Sequence, residues 1–570
     1  MTEEGTAPAA AKARAAGANG AGGDQAGAPD AAATVADVLA GAVARAGVSK
    51  AFGVPGGEVL PVMEALRRVG CDFVLCNHES SAGMMASAYG KLTGAPGMVI
   101  TTLGPGAANL LLPLANADLD REALLAVCGD LPASWPRGHT HQRLDLARIF
   151  GPVTKECAAL RPEGAAADVD RALTAVRTRP YGAALLSISS EDAVAASAPT
   201  GGDAVVAAAR GVLDATPERV LRAQAQDDAD RLAARLARAA HPLVVVGLGF
   251  EGRGAPALRT WLDAWELPSV VTPKAKGTVG EECPRFVGVI DAAGLGATMG
   301  EVLAGADLIV GLGLDPVELM RTWHATSELV WVGDCGPPPG GGEPCREGEE
   351  RLTSPAAEVA AVLAGRPPPR RWDDDFRRAR EQRLALAEDP SLVTWIPRVM
   401  RRVLPAEGVL TVDVGSHKCL FGQFWRCPEP DRFFVSNGLS AMGYGLPAAI
   451  GAKLARPDLP VVAVVGDGGF AMAAQELETA SRMAAAVVVV VLTDSSLSLI
   501  RLAQEARGLP RYGVDYHRVD VVRIAEGYGA TGIRAVGADE LHRGLERALG
   551  AGGPVVVEVP VDVAGYRAVL

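Results

Sequence analysis

The residues best placed to do chemistry are two aspartates, Asp467 and Asp494, each standing just past a run of β-branched residues, Val461–Val465 and Val487–Leu492. Continuous apolar runs of this length predict strands buried on both faces. Between them Leu477, Ala480 and Ala484 recur at helical spacing among Gln475, Glu476, Glu478, Ser481 and Arg482, which predicts an amphipathic crossover helix from Ala474 to Ala485. A right-handed crossover returns the chain parallel to itself, so both strands end on one edge of the sheet. If the two strands are neighbours their backbones lie about 5 Å apart, close enough for two carboxylates to share one hard cation. Gly466, Gly468 and Gly469 flank Asp467 and leave amides open to a phosphate carried by that cation. An ordinary βαβ unit is the alternative, since Asp-Gly also marks plain turns. A third acid, Glu79, follows the apolar stretch Phe73–Cys76 and opens a segment of small residues, Ala82, Gly83, Ala86, Ser87 and Ala88. Such a glutamate either interacts favourably with a helix N-terminus or carries a proton.

The rest of the chain must position these acids. At 570 residues it has room for two to four domains, and its apolar and charged fractions are those of a soluble globular protein. A net charge of −12, with no basic run, argues against nucleic-acid binding. Nine cysteines lie scattered without a C-x-x-C pair, which indicates neither a disulfide framework nor a zinc site and fits a reducing, cytoplasmic setting. No apolar run reaches membrane-spanning length. Residues 1–32 are mostly Ala, Gly and small polar residues and are expected to be a disordered tail. That tail lacks the basic start and apolar core of a signal peptide, and Glu3, Glu4, Asp24 and Asp30 argue against a transit sequence.

Strands and helices alternate from about Thr34 onward, with apolar runs at 51–54, 73–76, 98–102 and 124–128, then at 243–246, 269–272, 308–310 and 329–332. This is the signature of parallel α/β domains. The expected architecture is three successive parallel-sheet α/β domains at residues 33–195, 220–365 and 390–570, joined by linkers at 196–219 and 366–389 where composition turns to Ala, Gly, Pro and charge.

The segment Gly466-Asp467-Gly468-Gly469, with its helix and second carboxylate, resembles the diphosphate-binding motif of thiamine diphosphate enzymes. Many members carry Asn where Asp494 stands; aspartate also ligates Mg²⁺ and occurs there among acetolactate synthases. The resemblance extends to Leu75-Cys76-Asn77-His78-Glu79, to Ala88–Gly94 and to Leu103–Leu110, the family's activator-glutamate region. It implies three domains: pyrimidine-binding, central Rossmann-like and diphosphate-binding. Glu79 would bond the pyrimidine N1′ of the cofactor, and Asp467, Asp494 and Ser496 would hold Mg²⁺. By residue-to-residue match, Gly415, Ser416 and His417 would face the diphosphate, the Ser440 carbonyl would accept from the 4′-amino group, and Met442 would wedge the cofactor into its bent form. Met442 also fits plain core packing. Gln142 and Lys155 align with a segment lining the substrate side, while His139 and His141 are the alternative, a proton relay.

Asp413–Lys418, Gln475–Ala480 and Ala525–Ala530 look most like acetolactate synthases. The implied reaction decarboxylates a 2-oxo acid such as pyruvate and passes the acyl-anion equivalent to a second carbonyl. A 2-oxo acid decarboxylase, or a biosynthetic synthase with another acceptor, shares the cofactor and stays open. The literal G-x-G-x-x-G at Gly247–Gly252 raises a nicotinamide or flavin oxidoreductase as a rival, but the following run ends in Pro273-Lys274 rather than in a ribose-binding acid, so it is taken as a structural turn. Gly311–Glu318 stands where FAD-binding members carry an Arg-rich loop, so FAD is not expected. A non-catalytic homologue is disfavoured by the intact Glu79, Asp467 and Asp494. The resemblance further implies a homodimer or homotetramer with sites between subunits.

Overall fold

The computed structural model describes residues 33–136, 138–197, 218–290, 296–319, 327–334 and 350–569. The expected tail at 1–32 and most of the expected linker at 196–219 lie outside the described residues. The first sheet holds β1 (Lys50–Val54), β2 (Asp72–Leu75), β3 (Gly97–Thr101), β4 (Leu124–Gly129), β5 (Glu156–Ala159) and β6 (Ala183–Ile188) in the order β2-β1-β3-β4-β6-β5. The middle sheet holds β7 (Pro242–Val246), β8 (Ser269–Val271), β9 (Phe286–Val289), β10 (Leu308–Leu312), β11 (Glu328–Val332) and β12 (Glu350–Leu352) in the order β12-β11-β10-β7-β8-β9. The last sheet holds β13 (Val409–Val412), β14 (Phe433–Val435), β15 (Val461–Gly466), β16 (Val487–Thr493), β17 (Thr531–Arg534) and β18 (Val555–Pro560) in the order β14-β13-β15-β16-β18-β17. Every pairing is parallel, so the expected three parallel-sheet α/β domains are what the chain forms.

The first and third sheets share one strand order, position for position. The middle sheet has the doubly wound dinucleotide-fold order, with its switch point between β7 and β10. The valine runs of β15 and β16 are buried on both faces, as helices cover each side.

One apolar core runs continuously from the first domain into the third, joining Phe52, Met85 and Leu114 to Tyr444, Ile450 and Val489. At its centre the helix Glu79–Thr93, buried from Ser81 to Gly90, meets the helix Gly445–Ala455, buried from Gly445 to Ala452. Small residues let the two backbones approach: a Cβ on Gly451 would stand 2.2 Å from the Met85 carbonyl oxygen. The central domain is fastened by charge. Lys274 lies buried between Asp120 (3.2 Å) and Glu122 (2.8 Å) of the first domain, and Asp120 accepts from the Gly438 amide of the third at 2.7 Å. A cavity of 450 Å³ at this three-domain junction is lined by cations such as Lys91, Arg179 and Lys274, which pair with Asp431, Glu251 and Glu122.

Two local expectations change. The helix predicted over 474–485 is the shorter helix Glu476–Arg482, and a second helix, Asp467–Ala473, precedes it where the glycine segment was expected to be a turn. Residues 366–389 are not a bare linker. Trp372 donates from Nε1 to the Ala239 carbonyl, Phe376 is buried against the central domain, and the helix Arg377–Glu388 follows.

Candidate active site

The register of the last sheet pairs Gly466 with Leu492, so Asp467 and Asp494 leave adjacent strands at the same edge. Asp467 Oδ2 accepts from the amides of Ser495 (2.6 Å) and Asp494 (3.2 Å), and its Oδ1 from Gly468 (2.9 Å). Asp494 Oδ1 accepts from Ser496 N at 2.9 Å. A cavity of 190 Å³ opens here, lined by Gly415, Ser416, His417, Ser440, Met442, Gly466, Asp467, Gly468, Gly469, Asp494 and Ser496, with Tyr566 among its buried walls. All the diphosphate- and metal-side positions named from the sequence are therefore brought together.

Asp413 is the hub that holds three of these loops. Buried at the end of β13, it accepts from Val414 N (2.6 Å) and Gly443 N (3.0 Å), and a Cβ on Gly469 would strike its Oδ2 at 2.5 Å. Burial pushes its carboxyl up to about 6. Ser440 adopts a left-handed backbone with φ of 54°, uncommon for a non-glycine residue. Lys418 fixes it there, donating to Ser440 Oγ (3.0 Å) and to the Ser436 carbonyl (2.9 Å).

The electrostatics fit an anionic cofactor with a divalent cation. Burial, and after it the neighbouring Asp467, lifts Asp494 to about 6. Burial likewise raises Asp467. His417 lies over Gly415 and Gly466, where added Cβ atoms would approach its ring to 2.6 and 3.0 Å. Its Nε2 is buried with no partner, and burial lowers its pKa to about 4. Among the described residues no three His, Cys, Asp or Glu side chains cluster as a metal site. A cation at Asp467 and Asp494 would thus take further oxygens from Ser496 and from the anion it carries. The glycine cradle and the orphaned His417 nitrogen suit a diphosphate.

Glu79 does not line this cavity. It opens its helix at the first sheet's C-terminal edge, half-buried, and its Oε2 accepts from Asn109 Nδ2 at 2.9 Å. Gly106 passes close by, since a Cβ there would lie 3.4 Å from Glu79 Oε1. Gln142 shares this edge: it is exposed, has a left-handed backbone with φ of 56°, and lies where a Cβ on Gly104 would stand 2.8 Å from its own Cβ. Lys155 does not. It precedes β5 at the opposite, N-terminal edge, where its ammonium donates to the carbonyls of Thr178 (2.7 Å) and Pro180 (2.8 Å). His139 packs edge-on against Trp135, 4.6 Å between ring centroids, in the exposed loop that also carries His141.

At the central switch point the glycine turn after β7 is filled from within. Glu318 Oε2 accepts from Leu248 N at 2.9 Å, Gly249 N donates to the Gly313 carbonyl at 2.8 Å, and Phe250 N to the Gly247 carbonyl at 3.0 Å. The amides that would cradle a dinucleotide pyrophosphate are occupied by the chain's own oxygens. Burial pushes Glu318 up to about 8.

Three residues in or beside the site were not singled out from the sequence: Asp413, Glu476 and Glu58, whose Oε2 accepts from Thr102 Oγ1 at 3.0 Å beside the Glu79 edge. Asp413 and Glu476 sit inside motifs quoted above, so their positions were legible and their partners were not.

Comparison with known proteins agrees with this geometry. The family described as thiamine pyrophosphate enzyme matches in three parts: the N-terminal TPP binding domain over residues 33–149, the central domain over 229–331 and the C-terminal TPP binding domain over 413–559. The acetolactate synthase of Bacillus subtilis (strain 168) is 30% identical over 563 residues, covering 92% of this chain and 93% of the relative. The acetolactate synthase isozyme 2 large subunit of Escherichia coli (strain K12) is 29% identical, covering 91% and 94%. The catabolic acetolactate synthase of Raoultella terrigena is 28% identical, covering 92% and 95%. The chain belongs to the thiamine pyrophosphate enzymes, and within them to the acetolactate synthase-like group.

Proposed function

We propose that the chain is a thiamine diphosphate- and Mg²⁺-dependent carboligase that decarboxylates pyruvate and joins the acyl-anion equivalent to a second carbonyl, as an acetolactate synthase does. The observation that carries this is the single cavity in which two facing carboxylates, a glycine cradle and the unpartnered His417 nitrogen converge. When bound, the cofactor supplies the nucleophilic carbon and the electron sink for loss of carbon dioxide. Asp467, Asp494 and Ser496 hold the cation; Gly415, Ser416, His417 and Gly466 to Gly469 hold the diphosphate. Ser440 would offer its carbonyl to the 4′-amino group and Met442 would pack against the cofactor. Glu79 would hold a proton at the pyrimidine N1′ as general acid and base. Gln142 faces the substrate side. FAD has no part in this reading, which is supported by Glu318 filling the central crevice.

The site is completed between chains. Glu79 belongs to the open edge of the first domain and the cation carboxylates to the cavity of the third. Both are rimmed by exposed apolar side chains, Leu111 and Leu112 beside Asn109, Met472 and Ile500 beside the cavity. A dimer in which the first domain of one chain faces the third of its partner covers both rims and gives two equivalent sites. Mixing Glu79→Gln and Asp467→Ala proteins should then restore about a quarter of wild-type activity, since half of randomly paired dimers are mixed and each has one intact site.

Incubation with thiamine diphosphate, Mg²⁺ and pyruvate tests the reaction itself. Acetolactate is the expected product. Acetaldehyde alone would make the protein a decarboxylase, and consumption of pyruvate by neither route would overturn the assignment.

A further inference from the structure

We infer that Glu476 is a positioning residue for Glu79, acting across the domain boundary through the turn Asn77-His78. The inference rests on the reading of Glu79 given above. Glu476 opens the helix Glu476–Arg482 of the third domain and is fully buried. Its Oε2 accepts from the backbone N–H of Asn77 at 3.3 Å and from Thr479 Oγ1 at 2.8 Å. The same helix grips the rest of that turn. Asn77 Nδ2 donates to the Gln475 carbonyl (3.2 Å), Glu478 Oε2 (3.1 Å) and Thr479 Oγ1 (3.1 Å), while Arg482 donates to the Leu75 carbonyl at 2.5 Å.

These bonds fasten the chain from the end of β2 to the residue two before Glu79. The Glu79 side chain itself has one hydrogen-bond donor, Asn109. The direction in which Glu79 leaves the sheet is therefore set largely by what holds Asn77, and the buried Glu476 carboxylate contributes to that hold by accepting the Asn77 N–H at 3.3 Å. Replacing that carboxylate with an amide exchanges a charged acceptor for a neutral one and places an NH₂ where Oε1 is buried without a hydrogen-bond partner.

There is a geometrical consequence. Glu476 lies on the crossover that begins at Asp467, yet it acts on the Glu79 of its own chain. In a dimer with sites between chains those two acids serve different sites, so Glu476 should affect the site that uses its own chain's Glu79, not the one that uses its own Asp467.

Mixed dimers separate the two. In the Glu79→Gln plus Asp467→Ala pair, the live site takes Glu79 from the Asp467→Ala chain and Asp467 from the other. Adding Glu476→Gln to the Asp467→Ala chain should lower the complemented activity roughly tenfold or more, because a misplacement of about 1 Å at a catalytic group costs rate steeply. Adding it to the Glu79→Gln chain should leave the complemented activity in place. The single variant Glu476→Gln should bind the cofactor with unchanged affinity by calorimetry while C2–H exchange of the bound cofactor slows by a similar factor. Equal losses in both placements, or none in the first, would overturn the inference. If Glu476→Gln fails to assemble, Thr479→Val, which removes a donor to the same carboxylate, takes its place in both chains. Absence of complementation in the unmodified pair would instead defeat the interface reading, and slowed exchange at unchanged affinity in the single variant would then decide this one.

Discussion

The first and third domains share a strand order and pack through equivalent helices, each following the strand at the edge of its sheet, yet their C-terminal edges are built differently. In the third, β15 and β16 carry Asp467 and Asp494 into a cavity walled by the loops of Val414, Ser440 and Tyr566, and His417, whose Nε2 is buried without a partner, stands in its wall. In the first, Glu79 stands half-buried on an open edge with one side-chain partner and exposed leucines alongside. One topology thus yields a half with a cavity at its sheet edge and a half whose acid stands at an open edge. The fold duplicates a scaffold whose loops differ, and on the function proposed above that difference assigns binding to one half and proton transfer to the other.

The sharpest way to break this contrast is to remove the binding function alone. Asp467→Ala takes away a carboxylate that the proposed cation needs and that also accepts three backbone amides. Cofactor affinity in the presence of Mg²⁺ should fall below detection by calorimetry. Retained affinity would mean the half with the cavity is not the diphosphate site. Next in size is Glu79→Gln, which preserves shape on the open half. The cofactor should still bind, while C2–H exchange slows by roughly 10²–10⁴, the range of general acid–base catalysis. Loss of binding with exchange intact would reverse the two roles.

What the sequence showed of this arrangement follows from range. The strands were readable because Val461–Val465 and Val487–Val491 are buried on both faces and need no distant partner to be recognised. The cavity residues were readable because they sit in compact motifs, each a few residues long. The helix boundary at Asp467 was not legible because Gly466-Asp467-Gly468-Gly469 reads locally as a turn, whereas in the fold it is helical with Gly469 packed close against Asp413. The tie between Glu476 and Asn77 spans 399 positions, and no local pattern announces it. Glu318 is likewise invisible as a plug until β7 and β10 are seen side by side. Lys155 shows the converse: a matching motif placed it on the substrate side, while the fold directs its ammonium to two carbonyls at the far edge.

The shared core between the two domains offers a third test, of intermediate size. Gly451→Ala forces a Cβ to within 2.2 Å of the Met85 carbonyl, a backbone atom that cannot swing aside. Overpacking of this kind costs about 1–3 kcal/mol, seen as a lowered urea midpoint. Gly300→Ala is the control: nothing lies within 4 Å of its Cβ position in the helix Gly296–Gly305, so stability should be unchanged or slightly raised. A neutral Gly451→Ala would mean that the two domains do not pack helix on helix as described.

The smallest effect tests the burial of His417 in the cavity wall. Burial lowers His417 from 6.5 to about 4, so between those values the unfolded chain takes up a proton that the native apoprotein does not. A depressed pKa of this kind gives stability that is fully present above about 6.5 and is lost as pH falls towards about 4. One pH unit below the ordinary histidine value the loss is about 1.4 kcal/mol. Asp413 and Asp494 act oppositely in part of that window. Their carboxyls are raised to about 6, so they favour the native state as pH falls through 6 and mask the histidine in the wild-type profile. The variant isolates it. Urea midpoints of the apoprotein and of His417→Gln, each taken at pH 7.5 and 5.5, should converge on acidification by about 1.4 kcal/mol, because glutamine binds no proton in either state. Parallel profiles would mean that His417 is not buried in the cavity wall as described.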